Sequence, residues 1–162
     1  MKKSLLLLLV LVFGLFMVIG CEDDSGTDAN ENDVDVWVGN WLSAGPNVAY
    51  ILSAYFQYDS VKVEFTEENT VTLETHVIDG AWTALEGTYV LTESSDSDLD
   101  IVQLIYTAFE QEGIIQISGD TLRLEAVQTI PDIAATVPTP AAGFGADPTL
   151  GTINIQTYIR QD

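Results

Sequence analysis

The sequence predicts an all-β domain, an antiparallel up-and-down barrel of about eight strands with one short helix; a β-sandwich is the alternative arrangement. Two observations carry this. From residue 34 onward, apolar and polar residues alternate with a period of two in run after run. Short Gly, Asp and Asn turns separate the runs, as antiparallel hairpins require.

The chain begins differently. Lys2 and Lys3 precede an apolar run from Leu5 to Ile19, broken only by Gly14. A basic start followed by an apolar stretch too short to remain a comfortable spanning helix is the pattern of an export signal. It closes in Val18-Ile19-Gly20-Cys21. The run resembles the lipobox of bacterial lipoproteins. That resemblance implies cleavage after residue 20, with diacylglyceryl transfer to Cys21, the new first residue. Cys21 is the single cysteine, so no disulfide can form within the chain. Each buried methylene of an anchor contributes about 0.8 kcal/mol, and one acyl chain holds only marginally; the two or three that the resemblance implies hold for good. The expected address is the outer membrane, on its periplasmic face or at the cell surface. Acidic residues after the cysteine resemble surface-export signals, whereas the enteric retention rule needs Asp where this chain has Glu22.

Residues 21–35 contain almost no apolar side chain and read as an acidic, disordered tether. The third segment, residues 36–162, is long enough for one domain with a core. Its first strand is expected over Val36–Leu42. Val48, Ile51, Leu52, Tyr55 and Phe56 then fall at helical spacing, with Asn47 placed to cap and Pro46 before it, so a short amphipathic helix closes one end of the barrel. Val61, Val63 and Phe65 alternate with Lys62 and Glu64. After a Glu67-Glu68-Asn69 turn, Val71, Leu73, Thr75 and Val77 alternate with Thr72, Glu74 and His76. Asp79-Gly80-Ala81-Trp82 reads as a turn that leads to a strand over Leu85–Leu91. A strand is expected within Asp100–Ala108; Val102, Ile105, Tyr106 and Phe109 of Ile101–Phe109 also have helical spacing, but the segment reads as a strand from its β-branched content. Ile115 and Ile117, a Ser118-Gly119-Asp120 turn, and Leu122, Leu124 and Ala126 make the next hairpin. The stretch from Pro131 to Leu150 is long for a structureless connection, and its Val137, Ala141, Ala142 and Phe144 predict that it packs across the barrel. In the last strand, Ile153, Ile155, Thr157 and Ile159 alternate with Asn154, Gln156 and Tyr158.

Charge excludes some partners. The chain carries 25 Asp and Glu against five Lys and Arg, for a net −20. Every acid follows Cys21, where only Lys62, Arg123 and Arg160 oppose them. Such a field repels nucleic acid, which is not expected as a partner. Asp96-Ser97-Asp98-Leu99-Asp100 is the densest cation candidate. An EF-hand loop starting at Asp96 needs Gly sixth and Glu twelfth, where the chain has Ile101 and Thr107. It reads as a solvated loop. His76 is the only histidine, on the polar side of its strand, and no Cys/His spacing suits a metal. No catalytic constellation, metal site or cofactor is expected, and nothing in the pattern specifies an oligomeric state.

Gly39-Asn40-Trp41, following Val36-Trp37-Val38, resembles the G-x-W signature that opens lipocalins and related calycin barrels. In those families the Trp plugs the closed end and a late Arg packs on it. The resemblance therefore implies a structural plug of Trp41 and Arg160, worth about 1 kcal/mol as a cation–π pair. The chain is shorter than a lipocalin, lacks disulfides and carries the Pro/Gly loop; it is more similar to the small lipocalin-like domains of bacterial lipoproteins. Two functions are expected from different classes. A hollow barrel would bind a small hydrophobic ligand or lipid, with Trp82 at the rim. A filled one would be a surface-displayed structural or interaction module with Trp82 as an exposed anchor.

Overall fold

The computed structural model describes residues 35–162 apart from Asp96. The signal segment, Cys21 and all of the tether before Asp35 lie outside the described residues. The strands are β1 (Gly39–Ala44), β2 (Tyr58–Phe65), β3 (Thr70–Val77), β4 (Trp82–Thr92), β5 (Asp100–Tyr106), β6 (Glu110–Ser118), β7 (Thr121–Ile130) and β8 (Gln156–Gln161), with one helix, α1 (Tyr50–Phe56). Each strand pairs antiparallel with the next, and β1 pairs with β8 in the register Trp41↔Arg160 to close the sheet. That closure excludes the sandwich.

Alternation places one residue in two inside. Val61, Val63 and Phe65 of β2, Val71 of β3, Tyr89 of β4, and Val102, Leu104 and Tyr106 of β5 are buried together in the interior core. Their neighbours Lys62, Glu64 and Glu74 face out. The segment that also suited a helix, β5, is a strand because both of its edges are taken, by β4 and β6.

Four expectations need correction. The first strand starts at Gly39, not Val36. Its predecessors spend their carbonyls on side chains: Trp41 Nε1 donates to Trp37 O at 2.9 Å, and the Arg160 guanidinium donates to Val36 O and Val38 O. The helix begins at Tyr50, and Asn47 does not cap it. Asn47 belongs to a 3₁₀ turn, Gly45–Asn47. The first free N–H, that of Ala49, is instead satisfied from across the barrel by Gln156 Oε1 at 2.6 Å, the kind of partner an orphan helix terminus needs. Trp82 opens β4 rather than sitting in a turn. Finally, the last strand is out of phase with expectation. Residues Gly151–Asn154 form a 3₁₀ turn, and in β8 Gln156 and Tyr158 are buried while Ile159 faces out.

The loop from Pro131 to Ile155 lies on the outer face of β6 and β7. Gly145 N donates to Glu125 Oε2 at 2.6 Å, Arg123 lies 4.2 Å above the Phe144 ring, and Asn154 Nδ2 donates to Ala126 O. Beneath it Ile114, Glu125 and Val127 are buried, although Ile114 and Val127 stand apart from the interior core. Asp147 ties the loop to itself, accepting from the backbone N–H groups of Thr136, Thr149 and Leu150. Those donors hold its carboxyl below the usual aspartate range.

Candidate functional site

The two ends of the barrel are built differently. At one end Trp41 is almost fully buried, and the Arg160 guanidinium lies 4.1 Å above its ring. Gly39 makes this approach possible: a Cβ there would stand 2.9 Å from Arg160 Nη1. Below Trp41, Phe65 meets Tyr89 edge to face at 5.0 Å. Trp37 Nε1 donates to the Tyr89 hydroxyl, which donates in turn to Thr66 O. Every polar atom of these rings is used, so the end is shut by satisfied aromatic packing.

The other end is hollow. A cavity of about 400 Å³ occupies the barrel from β2 round to β8. Its apolar wall includes Val63, Leu73, Leu85, Leu104 and Leu124, and its neutral polar groups come from Thr75, Gln111, Gln156 and the tyrosines 106 and 158. Leu52 and Phe56 of α1 lie over the mouth. This is the volume and character of a small-molecule site.

The cavity also opens sideways. From Trp82 to Glu86, β4 pairs with β3 alone, because its ladder with β5 begins only at Gly87↔Tyr106. Thr83 and Leu85 point inward from this stretch and line the cavity, yet both are exposed, Leu85 at 40 %. The window is therefore bounded by β4 and the β5–β6 turn at Thr107–Phe109, where a second hollow is lined by Ala84, Leu85, Glu86 and Phe109.

Electrostatically the interior is neutral. The basic side chains of the barrel are engaged elsewhere: Lys62 lies 3.7 Å from Glu74 and 4.0 Å above Trp82, Arg123 is on Phe144, and Arg160 is on Trp41. Burial pushes the Tyr106 hydroxyl well above its ordinary range; burial, with Tyr106 as a neighbour, does the same for Tyr158. Both rings thus stay protonated and keep a donor each. His76 sits on the outer face, its Nδ1 2.6 Å from Asp59 Oδ1 and its ring 5.0 Å from Trp82. Among the described residues no group of three or more His, Cys, Asp or Glu is placed to hold a metal.

The structure thus brings Trp41 and Arg160 together at the shut end and puts Trp82 outside, against Lys62 and His76. Sequence reasoning missed the polar interior, chiefly Gln156, Tyr158 and Tyr106. A signal was present: residues 156, 158 and 160 share one face of a strand, so placing Arg160 against Trp41 also places Gln156 and Tyr158 inside. No family model matches the chain, and the comparisons with curated proteins and with solved structures returned no match.

Proposed function

We propose that this protein is an exported lipoprotein, held at the outer membrane through lipid on Cys21, whose barrel carries a small hydrophobic ligand or lipid. The observation that supports carriage is the apolar cavity of about 400 Å³, shut at one end by Trp41 and Arg160 and open at the other. A filled interaction module would have no use for that volume. Attachment by lipid, rather than by insertion, agrees with the barrel's outer face. Lys62, Glu64 and Glu74 project there, the reverse of the apolar band that a lipid-embedded barrel needs. No described helix is long and apolar enough to cross a membrane.

Native mass spectrometry of the protein purified from cells expressing the full sequence is expected to show a small-molecule adduct lost on denaturation. After extraction, a neutral apolar fluorophore should bind, and Leu85→Trp, which fills the window, should weaken its uptake at least tenfold. An adduct-free protein that takes up no fluorophore would rule out carriage. For the anchor, growth with a fatty-acid analogue should label the wild-type chain and not Cys21→Ala; label persisting in the variant would overturn the attachment.

A further inference from the structure

A cavity wall states what it will accept by the charges it lacks and by the donors it leaves unused. None of the described residues lining this cavity is Lys, Arg, His, Asp or Glu. Nor is a cation within reach of it. Beyond Lys3 the chain has three basic residues, and Lys62, Arg123 and Arg160 are each stacked on a ring, at 4.0, 4.2 and 4.1 Å respectively. A carboxylate or phosphate entering the barrel would lose its water with no counter-charge to replace it, inside a chain of net charge −20.

The same wall holds two buried polar atoms without a partner, the Tyr106 hydroxyl and Gln156 Nε2. The orientation of the Gln156 amide is fixed by chemistry: Ala49 N–H can only donate, so the atom it meets at 2.6 Å is the oxygen. The remaining Gln156 atom is therefore an NH₂ donor. The Tyr106 hydroxyl is a neutral phenol at pH 7.4, and burial moves it further from ionisation. Two donors stand in the wall with no acceptor within hydrogen-bond distance, a situation folded proteins generally avoid.

Resting on the carrier reading, we infer that the ligand is uncharged and bears a hydrogen-bond acceptor of the carbonyl type, an ester or ketone on an apolar body, and that Tyr106 and Gln156 are the groups that receive it. Free fatty acids in their ionised form are the molecules this barrel rejects. Tyr106 lies on β5 and Gln156 on β8, and both line the same cavity.

The test is competition against a neutral apolar fluorophore bound to the purified, extracted protein at pH 7.4, using methyl decanoate, decanoate and undecane. The ester should displace the fluorophore at a concentration at least tenfold below that of decanoate and threefold or more below that of undecane. Tyr106→Phe removes a hydroxyl that has no partner, so it should fold at least as well as the wild type while losing most of the ester's lead over the alkane. Decanoate competing as well as its ester would overturn the inference and leave carriage standing. So would a Tyr106→Phe protein in which the ester keeps its full lead over undecane. A protein that binds neither the fluorophore nor any competitor would instead end the carrier reading itself.

Discussion

Trp41→Ala is expected to destabilise the barrel by about 3–5 kcal/mol, the range for emptying a buried Trp site. The effect compounds three losses. The ring is about 1 % exposed and lies in the interior core, so its removal leaves a void next to Phe65 and Tyr89. The Nε1 bond to Trp37 O is lost, freeing a stretch that holds the first strand in place. The Arg160 guanidinium keeps its two backbone acceptors but loses the face it lies on. Against a typical domain stability of about 5–15 kcal/mol, this is a large fraction. Urea denaturation followed by far-UV circular dichroism measures it. Arg160→Ala should cost less in the Trp41→Ala background than alone, since contacting residues are not additive. A Trp41→Ala loss under about 1 kcal/mol would mean that the shut end is not held by this ring.

Gly113→Ala should be comparably damaging for a different reason. Gly113 of β6 pairs with Ala126 of β7, and a Cβ at 113 would stand 1.9 Å from Glu125 O and 2.6 Å from Ala126 Cα. Both obstacles are backbone, so no side chain can swing aside. The two strands must separate along the longest ladder in the barrel, which runs from Glu110↔Ile130 to Ser118↔Thr121. Overpacking by a methyl costs about 1–3 kcal/mol where side chains can adjust; here at least about 3 kcal/mol is expected, in the range reserved for strain of this kind. The urea midpoint should fall by about 1–3 M. A midpoint within a few tenths molar of wild type would show that β6 and β7 have room to part.

The hairpins were readable because each strand has one face in the core and one in water, and period two records that contrast. Val61, Val63 and Phe65 against Lys62 and Glu64 is the plainest case. The reading failed where the contrast inverts. The Pro131–Ile155 loop covers the outer face of β6 and β7, so Ile114 and Val127 are buried on the side that alternation assigns to solvent. At β8 the inner face borders a hollow instead of a core, and Gln156 and Tyr158 occupy it while Ile159 faces out. An apolar-inside rule cannot assign phase to a strand that lines a cavity, because such a wall tolerates polar groups that a filled core would exclude. Trp82 was misplaced because Asp79-Gly80 is a true turn, with Asp79 at φ +60°, and the strand resumes only two residues later. The Trp41–Arg160 contact was legible from the family resemblance alone, since nothing in local pattern links residues so far apart.

A strand edge left unpaired, as β4 is from Trp82 to Glu86, offers its N–H and C=O groups to any extended chain, including the same stretch of another copy. Barrels normally escape this hazard by closing completely. Here the opening that gives access to the interior reintroduces it. Two copies meeting edge to edge at β4 would bring together strongly acidic bodies, with Glu86 of both at the junction. That repulsion reaches across about 10 Å at 0.1 M salt, about twice the 4.7–4.9 Å spacing at which strands join. An acidic surface beside an open strand edge thus sets charge repulsion against the pairing that the edge invites.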